Sequence, residues 1–314
     1  MSRRVATDIG ASVRDRLKQK FPGFGYDFQV LLTHYALERL LYRLGRSKYR
    51  NQFLLKGALL FKVWYDQPVR SSMDADLLGE GPADIPKVEK IFCDLCRVSV
   101  EPDGLEFLPD TVHGEEIREN AEYQGIRLTL SAVLAGARIH LQIDIGYGDA
   151  VSPQAKTINY PVLLDLPAPS VKAYTQYTVI AEKFQTLVDK GLANSRMKDY
   201  YDLWYISRHS KIDGATLAKA VTATFKRRKT ELPRSLPEGL DKGFSSDPAK
   251  QRQWTSFLKK NKPSETRELA SVAMELISFL MPVVRTLIEK KQFHKVWRPG
   301  LGWRTALDDK SIKL

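Results

Sequence analysis

The stretch that decides the fold is Lys56-Gly-Ala-Leu-Leu-Phe-Lys-Val-Trp-Tyr65, followed by Arg70-Ser-Ser-Met-Asp-Ala-Asp-Leu-Leu78. The first part joins a small-residue turn at Gly57 to an apolar run, and the second carries Asp74 and Asp76 in an extended segment. Side chains alternate across a β-strand, so residues i and i+2 share one face, with their Cα atoms about 7 Å apart. The two carboxylates therefore form a candidate site for a divalent metal.

Two carboxylates on one strand face suit Mg²⁺, which takes few protein oxygens and completes its octahedron with phosphate and water. The turn at Gly57 lets backbone N–H groups approach a phosphate chain, because no Cβ stands in the way. An Asp-x-Asp pair at the end of a strand is also often a solvated surface feature. The glycine turn and the aspartate pair together favour a nucleotide-phosphate site over that alternative.

The composition is that of an ordinary globular protein, with 314 residues of which 43% are hydrophobic and 27% charged. No uninterrupted apolar run reaches the ~20 residues of a membrane span, and no apolar segment follows the opening Met-Ser-Arg-Arg. We therefore expect a cytoplasmic protein with no membrane partner. The formal net charge of +12 favours a polyanionic partner, since Lys and Arg that face phosphates gain from counterion release.

Hydrophobic periodicity predicts an α+β protein with a mixed sheet followed by a mostly helical part. Strands are expected at 71–78, 105–108, 125–132 and 138–145. Helices are expected before and between them at 11–20, 28–44 and 85–95, and in the apolar segment 53–65 from the Gly57 turn onward. After a proline-rich boundary at 161–169, further helices are expected at 178–190, 195–208, 214–229, 250–260 and 266–291. The predicted domains are residues 1–165, a helical domain 166–297 that contributes Lys183 and Asp199, and a polar tail 298–314.

The predicted strand 138–145 carries Asp144 on the face opposite its apolar side chains. Asp144 becomes a third metal carboxylate if this strand neighbours the strand of Asp74, which is the arrangement that two-metal phosphoryl chemistry needs. Asp149 follows in a Gly-Tyr-Gly turn, and we favour for it the ordinary role of a turn residue that bonds its own backbone.

Two predicted helices of the second half carry more charge than packing alone requires. Lys183 interrupts an apolar run, and Lys198, Asp199 and Asp202 lie within about one turn of the next helix, with Arg196 three residues before Asp199. A lysine on a helix can neutralise charge on a metal-bound triphosphate, and a nearby aspartate can orient that lysine or accept a proton. A solvated helix face with salt bridges explains either helix taken alone.

Five motifs, in this order within residues 28–285, resemble the AbiEii-type nucleotidyltransferase toxins. They are Leu55-Lys-Gly-Ala-Leu-Leu60, Arg70-Ser-Ser-Met-Asp-Ala-Asp-Leu-Leu-Gly79, Ile143-Asp-Ile-Gly-Tyr-Gly-Asp149, Ala181-Glu-Lys-Phe184 and Asn194-Ser-Arg-Met-Lys-Asp-Tyr-Tyr-Asp-Leu-Trp204. The resemblance implies a polymerase-β-like nucleotidyltransferase domain joined to a helical domain, in the toxin of a bacterial toxin-antitoxin or phage-defence pair. It also implies a Mg²⁺-dependent enzyme that transfers nucleotides from an NTP onto RNA, with tRNA 3′ ends as targets in some relatives. Because other relatives are described as binding GTP, the identity of the NTP does not carry over.

The resemblance assigns roles residue by residue. Asp74 and Asp76 stand at the metal-binding pair, Lys183 at the motif lysine and Asp199 at the following motif aspartate, with Asp202 as the fallback. Arg196 and Lys198 rank below these residues. Many relatives have a second Gly or a Ser where this chain has Ala58, so a backbone amide remains there without a hydroxyl. The predicted nucleotide-binding residues are Lys56, Gly57, Ala58, Ser72 and Lys183.

The expected partners are tRNA or another RNA and a cognate antitoxin, either a transcriptional regulator or a kinase-like protein. Some relatives are similar to toxins that a kinase-like antitoxin silences by phosphorylating a serine beside the metal aspartates, and Ser72 is the candidate here. The basic runs 226–229 and 259–262 are candidate RNA contacts. Two alternatives stay open: nucleotidyl transfer to a protein or a small molecule, and a nucleotide-binding or nucleic-acid-binding protein without turnover.

Overall fold

The computed structural model describes residues 8–23, 27–66, 69, 72–120, 123–263 and 265–305, with side chains for all of these except 23, 118–120, 123 and 124. The chain forms two compact units. Unit 1 comprises residues 1–148 and 156–173, and unit 2 comprises residues 149–155 and 174–314.

Unit 1 is built on a seven-stranded sheet in the order β3-β4-β5-β2-β1-β7-β6. The pairs β2·β5 and β1·β7 are parallel, and the other neighbouring strands are antiparallel. The predicted mixed sheet of an α+β fold is therefore confirmed. The strands are β1 (Phe53–Lys56), β2 (Asp74–Gly79), β3 (Leu105–Asn120), β4 (Tyr123–Leu134), β5 (Ala137–Tyr147), β6 (Lys156–Asn159) and β7 (Ser170–Ala173).

The described part of unit 1 has four α-helices: α1 (Ile9–Lys20), α2 (Phe28–Arg46), α3 (Leu59–Tyr65) and α4 (Ile85–Cys96). Helices α1, α2 and α4 begin after aspartates whose carboxylates accept a hydrogen bond from a backbone N–H of the first turn. Such capping satisfies donors that have no partner within the helix. The helices predicted at 11–20, 28–44 and 85–95 are confirmed to within two residues at each end.

Helix α2 is buried along most of its length, from Leu31 to Leu44. Its charged side chains are paired inside unit 1, because an isolated buried charge is strongly destabilising. Glu38 lies 3.1 Å from Arg39, and Arg43 donates a 2.6 Å hydrogen bond to Asp103.

Residues 53–56 form the strand β1, which the sequence does not predict, whereas the helix predicted to begin at the Gly57 turn is confirmed. Only the part after Gly57, α3, is helical. A four-residue apolar run has no periodicity that separates strand from helix. Pairing with neighbouring strands makes this run a strand, since Leu55 lies opposite Leu77 of β2 and beside Ala173 of β7.

The remaining strands differ from the sequence prediction mainly in length. β2 begins at Asp74, and the predicted start at Ser71 lies outside the described residues. β3 runs well past residue 108, with a register shift between Leu108 and His113. β6 and β7 are not predicted, because four-residue strands beside prolines have too short a pattern to detect. β7 also lies beyond the boundary expected at residue 165.

Unit 2 is mostly helical, as predicted, with α5 (Gln176–Lys190), α6 (Met197–His209), α7 (Gly214–Arg227), α8 (Lys242–Ser246), α9 (Pro248–Asn261) and α10 (Leu269–Ile288). A small antiparallel sheet in the order β10-β9-β8 completes it. Its strands are β8 (Ile212–Asp213), β9 (Val296–Arg298) and β10 (Gly302–Arg304).

The strand β10 lies within the segment that the sequence assigns to a polar tail. Two tryptophans anchor the β9-β10 hairpin: the indole N–H of Trp297 donates to the carbonyl of Ser207 at 2.6 Å, and that of Trp303 donates to Phe279 at 2.9 Å. Residues 306–314 of the expected tail lie outside the described part of the chain.

Helix α10 is long and apolar enough to cross a bilayer when judged by length and composition alone. One such helix is weak evidence for a membrane, because the core helix of a soluble protein passes the same test. The side chains of Leu276, Phe279 and Val284 are fully buried in the fold. Such burial is typical of a core helix.

Candidate active site

Three carboxylates converge on one face of the unit 1 sheet. Asp74 and Asp76 project from β2, and Asp144 projects from the parallel neighbour β5, directly opposite Asp76. One oxygen from each can be chosen so that all three lie within 4.8 Å of one another. The adjacency of the two strands, on which the predicted third carboxylate depends, is therefore present.

The alternation of buried and half-buried residues explains this convergence. Ala75 and Leu77 of β2, and Ile143 and Ile145 of β5, are at most 2% exposed. Because successive side chains point to opposite faces, the aspartates between them must lie on the other face.

The donor set fits Mg²⁺. Hard carboxylate oxygens are its preferred protein ligands, and oxygens on one Mg²⁺ octahedron lie about 2.9 to 4.2 Å apart. The spread of 4.8 Å among the three aspartates is close to that range, and a rotation of a carboxylate covers the difference. The same spread also suits two ions about 4 Å apart. Which of the three aspartates ligate metal stays a prediction.

The turn before α3 brings the backbone against one of these carboxylates. Gly57 has φ of +74°, and a Cβ built on it would collide with the Asp76 carboxylate. Only glycine adopts this conformation without strain and leaves the space that Asp76 occupies. The neighbouring Lys56 lies opposite Asp76 in the β1-β2 register, and Ala58 follows in the turn before α3. The predicted contacts of these residues with a nucleotide stay predictions.

Ser72, in the loop before β2, holds the Asp74 carboxylate, and His34 of α2 contacts the backbone of Ser72. The Ser72 hydroxyl donates a 2.6 Å hydrogen bond to Asp74, and His34 Nε2 lies 2.6 Å from the backbone oxygen of Ser72. Burial lowers the pKa of His34, with Lys62 adding to the effect against the hydrogen bond to Ser72. A carbonyl oxygen can only accept, so the neutral imidazole carries its proton on Nε2. Sequence reasoning missed His34, because nothing local distinguishes it from any other buried histidine.

Asp144 has partners of its own that sequence reasoning also missed. Arg127 of β4 donates from Nε and Nη2 to the two Asp144 oxygens, each at 2.9 Å, and Gln142 donates to one of them at 3.2 Å. This bidentate hydrogen bonding raises the pKa of Arg127. A signal was present, since strand alternation places Arg127 on the polar face of β4, but its pairing with Asp144 depends on register.

The second predicted cluster forms inside unit 2. Lys183 of α5 lies 2.6 Å from Asp199 and 2.9 Å from Asp202 of α6. Arg196 donates from Nε to the other Asp199 oxygen at 2.9 Å. The sequence treats Asp199 and Asp202 as alternatives, yet both pair with the same lysine. The lower-ranked Lys198 is half-buried.

The charges of this cluster are strongly coupled. The side chains of Asp199 and Asp202 are 2% and 1% exposed, and that of Lys183 is 13% exposed. Burial pushes the pKa of Asp199 upward, but Lys183 and Arg196 outweigh it and hold that pKa below its ordinary value. Asp199 is thus a poor proton acceptor and a good counter-ion for Lys183.

Arg228 belongs to the basic run 226–229, yet its side chain is largely buried within unit 2. It donates to Asp149 at 3.0 Å and lies 3.5 Å from Glu182, the residue before Lys183. Asp149 is therefore a buried ion-pair partner, a role that the sequence does not predict. Lys226, Arg227 and Lys229 remain exposed, as do Lys259, Lys260 and Lys262.

Comparisons with known proteins place these features in a family. A family model described as nucleotidyl transferase AbiEii toxin of type IV toxin-antitoxin systems matches residues 39–284. Crystal structures of JHP933 and of a candidate nucleotidyltransferase, both from Helicobacter pylori, superpose with a TM-score of 0.51 and 15% identity. Each covers 85% of this chain, which covers 96% and 100% of theirs. At that identity the likeness concerns the fold alone.

No curated protein sequence matches the chain significantly. The family match spans well over half of the chain and contains Gly57, the three converging carboxylates and Lys183. The chain belongs to the AbiEii family of nucleotidyl transferase toxins of type IV toxin-antitoxin systems.

Proposed function

We propose that this toxin transfers nucleotides from an NTP to the 3′ end of an RNA, with tRNA as the first candidate, and so blocks translation. The observation that carries the proposal is the convergence of Asp74, Asp76 and Asp144 on one sheet face. Divalent metal sites made of carboxylates are the common means of activating phosphoryl groups.

In the proposed reaction the RNA 3′ oxygen bonds to the α-phosphorus of the NTP. The bond from that phosphorus to the bridging β-phosphate oxygen breaks, and pyrophosphate leaves with the electron pair. The hydroxyl proton passes to water, because Asp199 is already committed to two cationic donors. Mg²⁺ would neutralise charge on the phosphate oxygens.

The chain's own residues would organise the substrates. Asp74 and Asp76, with Asp144, would hold the metal, and Ser72 would keep the Asp74 carboxylate in place through its 2.6 Å hydrogen bond. Gly57 and the adjacent amides would admit the triphosphate. Lys183 would neutralise phosphate charge, with Asp199 and Asp202 keeping its ammonium group in position.

The distribution of charge supports a polyanionic acceptor. Unit 2 contains 27 Lys and Arg against 16 Asp and Glu, whereas unit 1 contains 22 against 21. Nearly all of the net charge of +12 therefore belongs to unit 2. Sequence-independent binding to a nucleic-acid backbone uses such a surplus. It disfavours a small cationic acceptor such as an aminoglycoside.

The test is incubation of the full chain with total bacterial RNA, Mg²⁺ and each α-³²P NTP separately. We expect a labelled band of tRNA size from the wild type and none from Asp74→Ala. Asp15→Ala is the matched control, because Asp15 is an exposed aspartate of unit 1 whose side chain is 70% exposed. It should label RNA as the wild type does.

The same experiment separates the alternatives. Label on added protein, with none on RNA, would favour the protein-acceptor reading. Intact NTP binding without label on any acceptor would favour a nucleotide-binding protein without turnover. Equal labelling by Asp74→Ala and wild type would refute the assignment of Asp74.

The type IV family implies an antitoxin partner. We propose that this antitoxin is a transcriptional regulator or a kinase-like protein, and that the toxin acts in the cytoplasm, where its RNA substrate is. Co-expression of the neighbouring gene product should restore growth.

A further inference from the structure

Five charged side chains stand in register across the sheet that carries the metal carboxylates. Each is the direct cross-strand partner of the next, so all five belong to one row. In the order β3, β4, β5, β2 and β1 they are Glu115, Arg127, Asp144, Asp76 and Lys56. The two acidic residues in the middle belong to the candidate metal site, and a cation flanks them on each side.

Arg127 uses most of the hydrogen-bonding capacity of Asp144. A carboxylate has about four lone-pair positions. Arg127 takes one on each oxygen at 2.9 Å, and Gln142 takes a second position on Oδ1 at 3.2 Å. Asp144 thus keeps about one position for a metal while Arg127 stays in place.

The Asp74 carboxylate differs from that of Asp144, because its hydrogen-bond donor is neutral. Its Oδ1 accepts a 2.6 Å hydrogen bond from the neutral Ser72 hydroxyl. Among the described residues no arginine hydrogen-bonds Asp74, so a divalent ion there does not have to displace a guanidinium from that carboxylate, although the charge of Arg127 also acts on it. An ion that takes Asp144 as a ligand must come close to the Arg127 charge or displace it, and like charges at such distances repel.

We propose that Arg127 is a positioning residue that occupies the Asp144 carboxylate and so keeps it from binding metal at first. A first divalent ion binds at Asp74 and Asp76, and an ion that uses Asp144 binds only when the guanidinium gives that carboxylate up. The Arg127 fork can then donate to a phosphate, whose oxygens match its geometry as well as a carboxylate does. The inference rests on the metal site of the proposed function. It adds that the two divalent ions bind to this site one after the other.

The test is a Mn²⁺ titration of the full chain without nucleotide, followed by the electron paramagnetic resonance signal of free Mn²⁺. Wild type should bind one ion tightly and a second one weakly. Arg127→Gln should bind the second ion about tenfold more tightly, because the competing charge is gone. Arg138→Gln is the matched control, since Arg138 is an exposed arginine of β5 that lies opposite Val133.

Two further variants test whether the charge of Arg127 and the Asp144 carboxylate are responsible for the effect. Arg127→Lys keeps the charge but loses the fork, so its second site should stay weak. Asp144→Asn added to Arg127→Gln should abolish the gained site. If Arg127 merely orients Asp144 for the metal, Arg127→Gln should instead weaken Mn²⁺ binding, by about 10- to 100-fold. That result, or an unchanged titration, would overturn the inference.

The outcome also separates the inference from the proposed function. Wild type that binds no Mn²⁺, or Asp74→Ala that binds it unchanged, would refute the metal site itself. Normal binding by wild type with an unchanged Arg127→Gln would refute only the proposed role of Arg127. RNA labelling is not needed for either conclusion.

Discussion

Asp76 on β2 lies directly opposite Asp144 on β5, although α4 and two long strands separate them in the chain. The parallel pairing of β2 with β5 creates this juxtaposition, and it turns a local Asp-x-Asp pair into a set of three carboxylates.

The first prediction concerns the glycine that packs against Asp76. Gly57→Ala should cost about 1–2 kcal/mol of unfolding free energy, because an L-residue is strained at positive φ. Its Cβ should also displace the Asp76 carboxylate and reduce Mn²⁺ affinity about tenfold or more. Gly136→Ala is the control, since Gly136 has φ of +77° with open space around it. It should lose stability in urea unfolding through backbone strain alone and keep normal Mn²⁺ binding. Equal Mn²⁺ affinity in the two variants would contradict the steric argument.

The second prediction concerns the buried lysine of unit 2. Lys183→Met leaves Asp199 and Asp202 without their shared counter-ion, so the free energy of unfolding should fall by about 3–5 kcal/mol. The effect should also depend on pH. The depressed pKa of Asp199 adds stability above its unfolded pKa of about 3.9, and this stability is lost as pH falls through the folded pKa.

Without Lys183, burial should raise the pKa of Asp199, so acid unfolding of Lys183→Met should begin at a higher pH than that of the wild type. Urea unfolding between pH 3 and pH 7, followed by circular dichroism, measures both effects. Lys219→Met replaces an exposed lysine of α7 and should change neither. A variant as stable as wild type at every pH would show that the pair contributes nothing.

The third prediction concerns the serine next to the metal carboxylates. Ser72→Ala removes one hydrogen bond to Asp74 and should cost about 1 kcal/mol with a modest loss of transfer. Ser72→Glu places a negative charge beside Asp74, as phosphorylation would, and should abolish nucleotide transfer. Ser99→Glu at an exposed position of unit 1 is the control for the added charge. Full transfer by Ser72→Glu would rule out regulation at this serine.

The fourth prediction concerns the basic surface of unit 2. Lys259→Glu with Lys260→Glu should weaken RNA binding and lower the magnitude of the slope of log affinity against log salt by about 2, which is about 1 for each lysine, with unchanged NTP affinity. Lys87→Glu with Lys90→Glu reverses two exposed lysines of α4 in the charge-balanced unit 1 and should leave RNA binding nearly intact. Fluorescence anisotropy over a salt series measures both. Arg228 is unsuitable for this series, because its side chain is committed to Asp149 and Glu182.

Much of the fold was predictable because its signals are local. α2 and α4 have long apolar stripes and aspartate caps, and these features produce a helix wherever the stripe is buried. β1 was not predictable in the same way. Its four residues become a strand through pairing with β2 and β7, whose positions the local sequence does not contain.

The residues of the candidate site also differ in whether the local sequence shows a signal for them. Asp74, Asp76, Gly57 and Lys183 were chosen as candidates from the sequence because alternation, a small-residue turn and an interrupted apolar run are visible over a few residues. His34 and Arg127 were missed, since each is one polar residue in an ordinary helix or strand. Their roles arise from a hydrogen bond to a distant residue.

The sequence by itself determined the family, the mixed sheet followed by helices, and the identity of the acidic pair, because these depend on short-range pattern and residue chemistry. Only the tertiary structure decided that Asp144 faces Asp76, that Arg127 holds Asp144, and that one lysine serves both Asp199 and Asp202. The physical reason is strand register and helix packing. Both are set by the burial of apolar side chains from distant parts of the chain, and the polar side chains of the opposite face are brought together as a consequence.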